Sequence, residues 1–114
     1  MVTDRGILMI EPSRATSVLP VIDDLTRMMT AAWRRRRNAS ADDAYRGVHA
    51  CACGVTSDNR DHWVGPGGLL TNSLCIHYLA YHRKEVSKKE LAKVQALACG
   101  QEEPTEKELA KPKQ

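Results

Sequence analysis

The feature that most constrains this chain is the crowding of thiol and imidazole side chains between His49 and His82. All four histidines and three of the four cysteines fall there, in the order His49, Cys51, Cys53, His62, Cys75, His77, His82. Either the fold gathers several of them around one ion, or they scatter as core thiols and surface imidazoles. A zinc-type ion asks for about four such ligands in a tetrahedron, supplied as local pairs from two elements. The clustering favours the gathered arrangement.

The first local pair is Cys51 and Cys53. Residues i and i+2 of an extended chain share a side, with Cα atoms about 6.6 Å apart, so two sulfurs can tilt onto one ion. Gly54 follows and leaves room for the chain to turn. The second pair is His77 and His82, with four residues between them, inside the usual three-to-five range. On an ideal helix these positions differ by about 140°, so a shared ion requires the helix to loosen near Tyr81-His82. Three substitutes stay open. His49 shares a strand face with the cysteines, and His62 on a return strand can replace either helical histidine. Cys75 lies about 10.5 Å along a helix from His82 and reads better as packing. Cys99 stands alone as a small, inert thiol.

The expected elements are these. Gly6 to Ile10 reads as a short strand. Ser17 is placed as the N-cap of an amphipathic helix, whose stripe is Val18, Val21, Ile22, Leu25, Met28, Met29, Ala32 and Trp33. Residues 41–45 form a brief helical turn. Residues 48–53 and 61–64 pair as a hairpin, and Gly65-Pro66-Gly67-Gly68 is a turn. A helix covers 70–83, and Ser87-Lys88-Lys89-Glu90 has the capping-box pattern of a last helix through about Leu97. The spacing thus predicts a small α+β fold: an N-terminal strand or arm over 1–16, then a single domain over 17–99. That domain holds the amphipathic helix, a β-hairpin plus helix metal unit at 47–84 and a short C-terminal helix. Residues 100–114, rich in charge and proline, are expected to be a disordered tail.

The metal region resembles a zinc finger of the two-cysteine, two-histidine kind. The residues that carry the resemblance are Cys51-Ala52-Cys53-Gly54, Leu74 and His77-Tyr78-Leu79-Ala80-Tyr81-His82. Only one residue separates the cysteines, and 23 residues separate Cys53 from His77 where about twelve are usual. The likeness is therefore to a divergent, treble-clef-like relative. It implies zinc, held by Cys51, Cys53, His77 and His82, and a ββα unit; it carries over no base-reading residues.

Composition sets the remaining bounds. With 114 residues, 42% apolar and 27% charged, the chain is globular but short, a size at which a metal often supplies part of the stability. No apolar run approaches the roughly 20 residues of a membrane span, and the start lacks a signal peptide. A cytoplasmic location is expected, where cysteines serve metals or chemistry before disulfides. No catalytic spacing is evident, so no catalytic residue is assigned, and a small thiol- or metal-dependent enzyme is the least favoured reading. The net charge of +3 permits nucleic acid without demanding it. Arg34, Arg35, Arg36 and Arg37 are the sharpest basic run, read either as phosphate contacts or as a solvated helix end that complements the dipole. The expected role is a zinc-stabilised binding module with nucleic acid as favoured partner, or a protein-interaction adaptor whose metal is structural. Oligomeric state stays open.

Overall fold

The computed structural model describes residues 8, 10, 19–38, 49–58, 61–65, 68–97 and 99–112. It is an α+β domain with helices α1 (Asp24–Arg34), α2 (Cys75–Tyr81), α3 (Lys88–Gln95) and α4 (Glu106–Leu109), and strands β1 (Arg37–Asn38), β2 (His62–Val64) and β3 (Leu69–Thr71). The strands form an antiparallel sheet in the order β1-β2-β3, with Trp63 opposite both Arg37 and Leu70.

The amphipathic helix forms, but it starts at Asp24 rather than near Ser17. Asp23 takes the cap: its carboxylate accepts from the Thr26 amide at 3.2 Å. The same carboxylate is gripped by both Arg83 Nη atoms at 2.7 Å, which holds its pKa far below the usual carboxylate range. Upstream, the Val21 amide donates to Ala80 of α2 and so is not available to a helix. The buried face of α1 carries Met29, Ala32 and Trp33, and it packs on α2 and α3.

Gly65 and Gly68 flank the β2–β3 connection, both in the left-handed region at φ 73° and 74°, and the Gly68 amide donates to Gly65 O at 3.2 Å; the rest of the expected turn, residues 66 and 67, lies outside the described residues. Gly65 also lies against α3's end: a Cβ there would come 2.5 Å from Leu97 Cδ2. The helix expected over 70–83 is shorter. Residues 69–71 pair with β2 instead, and Asn72 Oδ1 accepts from the Leu74 amide to turn the chain into α2. Every residue of α2 is buried, which makes it the central helix. A 3-10 turn over Arg83–Glu85 follows, and Ser87 caps α3 as its pattern indicates.

Four further expectations remain. Residues 49–53 do not form a strand paired with 61–64; the contact there is one bridge, Ala50 to Thr56, because the chain turns back on itself at once. Of the strand expected at 6–10, Leu8 and Ile10 are described: both are buried, and the Leu8 amide donates to Leu70 O at 2.9 Å. The helical turn expected at 41–45 lies outside the described residues. The tail expected to be disordered instead carries α4. Thr105 and Glu108 form a reciprocal capping box, Leu109 is buried, and the segment is tied to α1 by ion pairs.

Candidate metal centre

The Cys51-Ala52-Cys53-Gly54 segment is a tight turn. Gly54 N donates to Cys51 O at 3.0 Å and Cys51 N donates to Val55 O at 2.9 Å. Gly54 takes φ 99°, a region that a side chain would strain. Reciprocal bonds between His49 and Ser57 close the base of this loop, each 2.8 Å. The effect is to aim both sulfurs the same way, 3.5 Å apart. That is far longer than a disulfide bond of about 2.05 Å.

The opposite wall is α2. His77 lies within the helix and His82 is its C-cap, at φ −125° and ψ 30°. The helix therefore ends where a common ion requires it to end, and the two rings come to 5.0 Å between centroids. Cys51 Sγ lies 3.1 Å from His82 Nε2, and Cys53 Sγ lies 3.2 Å from His77 Nε2. All four donor atoms fall within 4.8 Å of one another. Ligands at zinc–nitrogen and zinc–sulfur distances, arranged tetrahedrally, sit about 3.3–3.8 Å apart. A two-sulfur, two-nitrogen set of this size fits such an ion.

Burial completes the chemistry. Relative exposure is 6% for Cys51, 3% for Cys53, 0% for His77 and 1% for His82, so a bound ion would be enclosed by protein ligands on every side. Burial pushes the Cys51 thiol up and the His77 imidazole down. A neutral His77 is ready to ligate, whereas the Cys51 thiol must give up its proton to solvent as a cation binds, so binding releases protons. His77 Nδ1 lies 3.1 Å from the Leu109 carbonyl oxygen of α4. Because a carbonyl only accepts, Nδ1 carries the hydrogen and Nε2 presents its lone pair to the site. His82 Nδ1 has the Glu85 carboxylate 3.8 Å away.

The four ligands proposed from spacing are thus the four that converge among the described residues. The substitutes lie elsewhere. His49 Nε2 faces Asp61 at 3.2 Å, and His62 Nε2 faces Asp58 at 2.9 Å with its ring edge-on to Trp33. Cys75 is wholly buried in the core, and burial pushes its thiol up to about 12. Cys99 is half-buried at the core margin. The Leu109 carbonyl was missed by sequence reasoning. Its signal was available: Thr105-Glu106-Lys107-Glu108 is a capping-box pattern directly before a lone leucine.

The arginine run divides. Arg34 forks onto Glu108 at 2.8 and 3.1 Å, reaches Glu102 at 2.8 Å and donates to Glu103 O. Arg35 reaches Glu102 at 3.0 Å. Arg36 stacks over Trp33 with its guanidinium carbon 4.3 Å from the ring centroid, and Arg37 sits on edge strand β1 and is exposed. No helix among the described residues is long and apolar enough to cross a membrane. Comparison with family models, with curated proteins and with solved structures finds no match for this chain.

Proposed function

We propose that the protein is a non-enzymatic binding module stabilised by one structural zinc on Cys51, Cys53, His77 and His82. The observation that carries this reading is the closed, buried two-cysteine, two-histidine cage. Catalytic zinc keeps a position open for water or substrate, whereas structural zinc has four protein ligands. Cysteine with histidine also selects zinc over the oxygen-loving calcium and magnesium. Elemental analysis of purified protein tests it: about one zinc per chain is expected, lost in Cys51→Ser and kept in Cys99→Ser. A stripped protein as folded and stable as the untreated one would end this reading.

Nucleic acid is the partner this reading favours. An adaptor working through apolar surface needs an exposed apolar face. Among the described residues Leu19 is the exposed large hydrophobic, and Met29 of the apolar stripe of α1 is buried. Exposed cations are more plentiful: Arg36, Arg37, Lys84, Lys88 and Lys89. Phosphate contact is accordingly placed on Arg36 and Arg37 first, since Arg34 and Arg35 are engaged with glutamates of the same chain. Replacing Arg36 and Arg37 with Gln should weaken binding to all sequences and reduce the salt slope by about one unit per lost contact. If the wild-type protein shows no salt-sensitive affinity for DNA or RNA at micromolar concentration, the adaptor reading replaces this one.

A further inference from the structure

We propose that α4 is a clasp on the metal centre: the Leu109 carbonyl fixes His77 as an Nε2 ligand, and Arg34 of α1 holds α4 in place. The proposal rests on the zinc reading above and deepens it by adding residues distant in sequence from the four ligands.

Three observations meet at this point. His77 is fully buried and its Nδ1 is directed at a backbone carbonyl 3.1 Å away, from a residue 32 positions later. A metal-bound imidazole depends on such a partner to set its tautomer and ring orientation. The residue supplying the carbonyl ends a helix of only one turn, which is marginal by itself. That turn is held by its capping box, by burial of Leu109 and by the Arg34–Glu108 fork, with Glu102 and the Glu103 carbonyl on the same guanidinium. Arg34 thus acts on the metal through Glu108, Leu109 and His77. It is a positioning residue, and a ligand that drew Arg34 away from Glu108 would loosen the ion's surroundings.

The test uses the full chain loaded with zinc. Affinity is read by competition with a chelator, and the His77 tautomer by nitrogen-15 NMR of the ring. Arg34→Glu should still bind one zinc, more weakly by up to about 10-fold, the low end of the effect of losing a ligand's direct hydrogen-bond partner, and its His77 Nδ1 proton should exchange with water faster. Adding Glu108→Arg to Arg34→Glu restores an ion pair of opposite sense and should recover part of the affinity. Thr105→Val removes the exposed cap of α4 without touching α1 or a ligand. It should lower affinity in the same direction and serves if Arg34→Glu does not fold. Lys89→Glu makes the same charge change on the exposed face of α3 and should leave affinity unaltered. The clasp is overturned if Arg34→Glu and Thr105→Val both stay within about twofold of wild type, or if His77 binds through Nδ1. A wild-type protein that takes up no zinc overturns the reading of the centre itself, and is thereby distinct from failure of the clasp alone.

Discussion

The turn at Cys51–Gly54 and the C-terminal arm meet on opposite sides of His77, and they are held by different forces. The turn is short and buried, and it faces α2 through four donor atoms close enough to share one cation. The arm lies at the surface, joined to α1 by arginine–glutamate pairs and to the core by Leu109 with Ala110 beside it. Donors converging on an ion in a buried site give a large and salt-insensitive contribution. Exposed ion pairs contribute little each and weaken with salt. The difference teaches that a small domain can place its strongest constraint at one point and adjust it from a weaker, more tunable neighbour.

The largest break in this comparison comes from removing the metal. Chelation, or Cys51→Ser, should remove the larger part of a stability that for such domains totals about 5–15 kcal/mol. Circular dichroism and thermal melts with and without chelator would show it. A melt that is unmoved would mean that the turn is held by packing alone.

Next in size is Leu109→Ala. Leu109 is the buried anchor of α4 at the edge of the core, so a loss near the low end of the Leu→Ala range, about 2–3 kcal/mol, is expected. Urea denaturation measures it. A loss below about 0.5 kcal/mol would show that the arm is not packed as described.

Acid should act mainly on the turn side. Burial depresses the His77 pKa below its ordinary 6.5 in the metal-free fold. The unfolded chain therefore binds the proton first. The contribution is complete above about pH 6.5 and is lost as pH falls through the lower folded value. Protons also compete with zinc for the same nitrogen, so both effects run the same way. Zinc release followed between pH 8 and 4 should increase below the ordinary histidine value, and release that is flat across this range would contradict the ligand role of His77. The smallest effect is expected from Cys99→Ser. This thiol is half-buried and outside the cluster, so stability should change by no more than about 0.5 kcal/mol and zinc content not at all.

The two regions also differ in how far the sequence disclosed them. The convergence of Cys51, Cys53, His77 and His82 was legible because both pairs are local. Cys51 and Cys53 are two residues apart, His77 and His82 five, and the helix ends at His82 as a shared ion demands. The arm was legible only in its local cap, Thr105 to Glu108; its docking was not, because that depends on partners 68 to 76 residues away: Arg27 with Glu103, and Arg34 with Glu102 and Glu108. Composition reports the charges of 100–112 but not that opposite charges wait on α1. The same blindness shifted the start of α1, since Ser17 is a good local cap while Asp23 is a cap reinforced by distant Arg83. Residues 69–71 went to the sheet for a similar reason: their apolar character suits helix or strand alike, and pairing with β2 decided it.

The most direct measurement of the central claim is X-ray absorption at the zinc edge of the purified full-length chain. The account predicts one zinc per chain with a four-coordinate shell, two sulfurs at about 2.3 Å and two nitrogens at about 2.0 Å. A protein without zinc, or a shell dominated by oxygen or lacking either the sulfur pair or the nitrogen pair, would contradict it.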